Sequence, residues 1–255
     1  AESSALTGLG ICLPILMIIS AFSSFAGAGG APLASIELGK AENDKSSLNK
    51  ANEILNNALY MLIFFSITLT LFFYIFRTPI LSAFGASETT LPYANDYLSI
   101  YLLGTVFVQI SVGLNSFISA QGHAKTAMIS IIIGAILNII LDPLFIFVFN
   151  MGVKGAALAT IISQGFSAIW IFSFLTSKKS QLKINFKSNK LNLKICGKIA
   201  ILGIAPFIMQ STESAIFIVF NSGLQKYGGD LYVGTMTILQ SLMQLCLIPI
   251  QGFTY

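Results

Sequence analysis

Seven stretches of more than twenty residues carry almost no charge, and they fix the solvent in which this chain can fold. They are residues 3–38, 51–76, 97–122, 126–153, 155–177, 199–225 and 231–255. Single acids interrupt four of them, namely Glu37, Glu53, Asp142 and Glu213, and the other three have none. A helix rising about 1.5 Å per residue needs about 20 apolar residues to cross a hydrocarbon layer of about 30 Å. Each stretch is long enough, and each is bounded by turn or charge signals such as Gly39-Lys40, Arg77-Thr78-Pro79, Gly122-His123 and Gly228-Gly229-Asp230. In hydrocarbon every backbone N–H and C=O must be satisfied inside its own segment, so such runs fold as helices. The reading is an all-α, polytopic transmembrane helical bundle with about seven spans.

Composition removes the alternatives. Only 9% of the 255 residues are charged, against about 25% in a soluble domain. That excludes an ordinary soluble globule, a disordered chain and a nucleic-acid-binding domain. The net charge of +4 is explained by topology rather than by a polyanion. Eleven of the fourteen basic residues fall in the loops after the first, third and fifth spans: Lys40, Lys45, Lys50, Lys125 and seven lysines between 178 and 198. Arg77, Lys154 and Lys226 occupy the alternate loops. The positive-inside rule places the lysine-rich group in the cytoplasm. The first residue then lies outside. The chain starts at Ala1 and ends at Tyr255 within an apolar run, with no basic leader, and is expected to be an internal piece of a longer protein.

The segment 178–198 reads as a solvated, topology-setting linker and the best boundary between two halves; an anionic-lipid patch is its functional alternative. A weak repeat supports the boundary. Cys12-Leu13-Pro14 in the first span resembles Cys246 to Pro249 in the seventh, and parallel repeats are common in secondary transporters. Cys12, Cys196 and Cys246 are isolated and read as packing residues.

Two acids stand where charge costs roughly 2.5–3.5 kcal/mol on insertion scales. Asp142 lies inside the fourth span. Asn138, four residues earlier, shares its helical face. Pro143 follows, and without an N–H it frees the carbonyl of Ile139. A carboxylate, an amide and a freed carbonyl are oxygen donors of the kind a hard cation such as Na⁺ prefers, and a desolvated Asp can instead carry H⁺. The bland alternative is a structural kink with a hydrogen-bonded Asp. Glu213 sits in the polar girdle Gln210-Ser211-Thr212-Glu213-Ser214, a candidate for protonation or for binding a substrate cation, or else for a buried structural hydrogen bond. Gln240 and Gln244 share a face of the seventh span as candidate cavity lining. Gln109, Asn115 and Gln164 are either path-lining or interhelical hydrogen-bonding groups. Gly27 to Pro32 lacks the Lys-Ser/Thr and preceding strand of a phosphate loop and reads as close helix packing. Tyr60, Tyr74, Tyr101 and Trp170 read as bilayer-facing or packing aromatics.

No Gly-x-Ser-x-Gly or His-Glu-x-x-His occurs, and His123 is the single histidine. A triad or zinc site built on two histidines is excluded within this chain. The lone His123 reads as a solvated turn residue. An integral-membrane enzyme is therefore disfavoured. No cofactor is expected beyond a coupling ion, Na⁺ or H⁺.

Gly39-Lys40, Gln121-Gly122, Asn138-(x)3-Asp142-Pro143 and Gly152-Val153-Lys154-Gly155-Ala156-Ala157-Leu158-Ala159-Thr160 occur in this order across nearly the whole chain. The pattern resembles the multidrug and toxic compound extrusion (MATE) family, in its MepA-like branch. The resemblance implies twelve helices in two six-helix lobes, of which this chain holds helices two to eight. Residues 1–177 would be first-lobe helices two to six, 178–198 a cytoplasmic basic linker, and 199–255 the start of the second lobe. It implies a cation or proton site at Tyr97, Asn138, Asp142 and Thr160, completed by a carboxylate of helix one, with Glu213 and Gln210 as a second-lobe site. It further implies a bacterial inner-membrane antiporter, a monomer, that exports small cationic or amphipathic compounds. The rival of similar architecture is a lipid-linked precursor flippase. That rival requires basic residues deep in a cavity, and none lies deep in any span.

Overall fold

The computed structural model describes the backbone of residues 2–41, 44–185 and 191–252, and the side chains of 4–41, 44, 46–185 and 191–243. Among the described residues seven α-helices follow in order: α1 Glu2–Lys40, α2 Lys45–Ala83, α3 Leu91–Leu103, α4 Thr105–Ala120, α5 Ala124–Pro143, α6 Val153–Thr176 and α7 Leu193–Gly252. No strand occurs among the described residues. Among the described residues five helices are long and apolar enough to cross a membrane, and six when α3 and α4 count as one span.

That pair departs from the straight third span expected at 97–122. The helix starts earlier, at Leu91, and bends by 60° at the α3–α4 break. Gly104 sits at the bend because Ile161 of α6 presses on it. A Cβ there would collide with the Ile161 side chain, so only glycine lets α6 approach. The fourth span is also shorter than expected. α5 ends at Pro143 and continues as a wide turn over Leu144–Val148, closed by the Phe149 amide donating to Leu144 O at 3.0 Å.

The sixth and seventh spans form one 60-residue element broken at Gly229, whose φ of 71° and ψ of −169° only glycine adopts without strain. Both arms pack on α1, running in opposite directions. In the first arm Ser214 donates to Pro14 O at 2.9 Å and Asn221 donates to Gly10 O at 3.4 Å. In the second, Gly234 lies against Thr7 and Thr237 against Gly10. The hairpin is tied down at its tip: the Asp230 carboxylate accepts from Ser87 Oγ (3.0 Å) and Thr89 Oγ1 (2.6 Å).

α1 is the central helix, flanked by α2, α4 and α7. Small residues let it sit there. A Cβ on Gly27 would meet Gly113 O at 2.5 Å, and one on Gly203 would collide with Phe25 O. The reading of Gly27 to Pro32 as a close-packing stripe therefore holds. Leu55, Leu59, Leu62, Leu114, Phe117 and Ile171 fill one half of the core, and Ile11, Ile15, Leu98 and Leu102 fill the other. α5 by contrast exposes Ile131, Ile136, Ile139 and Ile140, a face suited to hydrocarbon and not to water.

The segment after α6 is not a free tether. The amides of Gln181 and Leu182 donate to Gln121 Oε1 at 2.9 and 3.0 Å. Those of Lys183, Asn185 and Asn192 donate to Asn52, Asn56 and Asn57 Oδ1 at 2.7, 2.9 and 2.7 Å.

Candidate functional site

Asp142 occupies the last turn of α5, where the helix loosens into the wide turn after Pro143. Its side chain is half-buried, and Asn138 lies beside it on the same helical face. Asp142 Oδ1 and Asn138 Nδ2 are both buried without a hydrogen-bond partner. Such atoms are rare in folded proteins and mark places where a ligand or water completes the shell.

The other two family positions come to the same place from other helices. Tyr97 of α3 is buried. Its hydroxyl lies near the side chains of Thr160 on α6 and of Asp142. Thr160 Oγ1 donates to Ala156 O at 3.0 Å. Tyr101 stacks on Tyr97 with ring centroids 5.9 Å apart and fixes the ring. Gly155 lets α6 pack against the wide turn after α5, since a Cβ would strike the Phe145 backbone at 2.8 Å. Four residues from three helices thus converge.

Asn138 and Thr160 also line a cavity of about 440 Å³ between α4, α5 and α6. Its remaining polar lining is Ser111, Asn115, Ser130, Ser163, Gln164 and Ser167. Ser163 Oγ is buried and unpartnered. Ser130 Oγ donates to Asn115 Oδ1 at 3.1 Å, and Ser111 Oγ donates to Gln164 Oε1. Asn115 and Gln164 are therefore both lining and cross-linking groups. Gln109 is a cross-link: its Nε2 donates to Ile19 O at 2.9 Å. The serines were missed in the sequence, although residues 160, 163, 164 and 167 share a helical face.

The second-lobe candidates are not brought together. Gln210 Nε2 donates to Ser24 Oγ of α1 at 2.8 Å, whereas Glu213 is exposed on another face of α7. Gln240 is buried with an unpartnered Nε2. The side chains of Gln244, Cys246 and Pro249 lie outside the described residues, so cavity lining by Gln244 and the repeat at Cys246 stay as sequence expectations. Among the aromatics, Tyr101 packs inside, Trp170 Nε1 donates to Thr126 O at 3.3 Å, and Arg77 lies over the Tyr74 ring. His123 is half-buried, with its ring edge-on to Phe174, so it is not the fully solvated turn residue expected. Sequence reading also passed over Phe22, Phe25, Phe65 and Phe207. They cluster between α1, α2 and α7 with ring centroids 4.8–5.8 Å apart.

A bundle of bent apolar helices around a partly satisfied acid, an amide and two hydroxyls is the architecture of a membrane transporter. Residues 2–144 match the MatE family model, and the chain belongs to that family of multidrug efflux transporters. It is 32% identical over 227 residues to multidrug export protein MepA of Staphylococcus haemolyticus, and 29% identical to MepA of Staphylococcus aureus. Those matches cover 89% of this chain and 49% of each relative. The chain spans about half the length of the curated relatives it matches. The solved structure of the MATE multidrug transporter DinF-BH in complex with rhodamine 6G superposes with a TM-score of 0.91 and 32% identity, over 99% of this chain and 55% of that one. An inward-facing MATE family transporter of the MOP superfamily shares the fold at a TM-score of 0.91 and 24% identity, over 98% of this chain and 56% of that one. The relatives are bacterial, and the protein is a membrane protein.

Proposed function

We propose that this chain forms most of the first lobe, and the start of the second, of a cation-coupled efflux antiporter. Residues 1–177 belong to the first lobe, 178–198 join the lobes on the cytoplasmic side, and 199–255 begin the second. Na⁺ or H⁺ is the coupling ion, taken up at Asp142 with Asn138, Tyr97 and Thr160 around it. The observation that carries the reading is the pair of buried, unpartnered atoms, Asp142 Oδ1 and Asn138 Nδ2. Buried polar atoms of this kind are rare, and a bound ion or water would complete their shell.

The exported compound is a small cationic or amphipathic molecule. Rhodamine 6G, the ligand in the DinF-BH structure, has that chemistry, and the Phe22, Phe25, Phe65 and Phe207 cluster offers an apolar, aromatic surface between α1, α2 and α7. Coupling requires that ion and substrate each favour a different facing state, since a ligand with equal affinity for both shifts nothing. The membrane potential contributes about 2.3 kcal/mol per charge per 100 mV.

The test is efflux of rhodamine 6G by the full-length protein in proteoliposomes under an imposed Na⁺ or H⁺ gradient. Efflux that follows one of the two gradients in the wild type, and ignores both in Asp142→Asn, is the expected result. Gradient-driven efflux that survives in Asp142→Asn removes the site from the mechanism.

A further inference from the structure

We propose that residues 178–185 and 191–198, on either side of the linker after α6, form a preorganised platform for anionic phospholipid headgroups at the cytoplasmic rim. Two independent observations meet there.

The first is charge. Between 178 and 198 there are seven lysines and no acid. Lys178, Lys179, Lys183, Lys194 and Lys198 are exposed, and none of the five has a salt-bridge partner among the described residues. The neighbouring acid Glu53 makes no salt bridge with them among the described residues; its Oε1 accepts from Asn192 Nδ2 at 3.1 Å. Leu191 and Leu193 stand beside Lys194 at 58% and 77% exposure. Exposed leucines beside exposed lysines suit a surface with phosphates outside and acyl chains beneath.

The second is rigidity. A lysine-rich loop that only sets topology needs no defined backbone. Here five backbone amides are captured by Gln121, Asn52, Asn56 and Asn57. Asn56 Nδ2 also donates to Lys183 O at 3.2 Å, so this side chain grips the segment from both sides. Asn56 and Asn57 are adjacent on α2 and hold Asn185 and Asn192 respectively, which brings the Lys183 side of the segment next to the Lys194 side. Lysines distant in sequence are thereby gathered on one rim. Fixing them beforehand removes the ordering cost that a flexible tail meets on binding.

The measurement is binding of the full-length protein, in detergent, to phosphatidylglycerol and to phosphatidylcholine, followed by native mass spectrometry. Preferential retention of phosphatidylglycerol is expected. Replacing Lys178, Lys179 and Lys183 by Gln weakens that preference roughly fivefold per lysine, and replacing them by Arg preserves it. Asn56→Ala with Asn57→Ala leaves every lysine in place, so a topology signal is intact, yet the preference falls. Inorganic phosphate at equal phosphate concentration fails to compete, which separates a lipid site from a free-phosphate site. Equal retention of the two lipids, or a phosphatidylglycerol preference unchanged in the three-lysine Gln variant, overturns the proposal. So does an unchanged preference in the Asn56 and Asn57 double variant.

Discussion

Asp142 and Glu213 are both acids in long apolar helices, yet their surroundings differ. Asp142 stands at a helix end opened by Pro143, half-buried, with Asn138 on its own face and Tyr97 and Thr160 arriving from two other helices. Glu213 stands in mid-helix, exposed, while its girdle neighbours Gln210 and Ser214 turn to α1 and bond Ser24 and Pro14. A charge in an apolar run is therefore half a signal. What distinguishes a candidate ion site is the convergence of polar side chains from several helices on one half-buried carboxylate.

The sharpest way to break this contrast is to neutralise each acid in turn. Asp142→Asn is expected to lower gradient-driven efflux by about 100-fold, the upper end of typical coupling. Glu213→Gln is expected to change it less than about threefold, with the gradient dependence intact. A reversed order, measured as initial efflux rates at equal expression, assigns the coupling to α7 instead.

Asn138→Ala comes next. It removes the amide that faces Asp142 but keeps the carboxylate. Ion-driven efflux should fall by about fivefold, and the half-saturating ion concentration should rise by a similar factor. An unchanged ion dependence makes Asn138 a bystander.

How much of this was readable follows from how local each signal is. Asn138, Asp142 and Pro143 lie within about one and a half turns of one helix, so spacing alone groups them. The break at Gly229 was legible from Gly228-Gly229-Asp230 as a turn, and it separates two arms that the backbone otherwise runs together. The bend at Gly104 was not legible, because a glycine in an apolar run carries no mark of the Ile161 side chain pressing on it. Tyr97 and Thr160 were placed by family resemblance, since no spacing rule joins residues so far apart in sequence. The capture of the Lys183, Asn185 and Asn192 amides by Asn52, Asn56 and Asn57 was invisible for the same reason: three asparagines in a helix look like ordinary solvated residues. Ser163 and Ser167 were available as a stripe with Thr160 and were overlooked, because single serines are weak signals in membrane helices.

The seat of α7 on α1 tests whether the exposed position of Glu213 is set by packing. Gly203→Leu places a side chain against the Phe25 backbone carbonyl, which cannot rotate away. Overpacking of this kind costs typically about 1–3 kcal/mol. The expected result is a lower melting temperature of the purified protein with the ion dependence of residual efflux retained. A loss of ion dependence at wild-type stability would tie the α1–α7 contact to the coupling site.

The smallest effect belongs to a third acid, one with ordinary partners in water. Asp44 caps α2: its carboxylate accepts from the Ser46 side chain and from the Ser46 amide at 2.9 Å. Those hydrogen bonds, the hydroxyl first and the amide second, hold its carboxyl below the usual carboxylate range. A folded-state value below the unfolded one means the cap stabilises above the ordinary value and loses that contribution as pH falls through the lower one. The window opens below about pH 4. Asp44→Ala should therefore lower thermal stability slightly at pH 7, and the gap between variant and wild type should close on acidification. Salt should narrow the gap only in part, because a hydrogen-bonded cap is screened less than a bare charge pair. A gap that persists unchanged at about pH 3, below the ordinary carboxylate value, would mean the cap acts through backbone shape rather than through its charge.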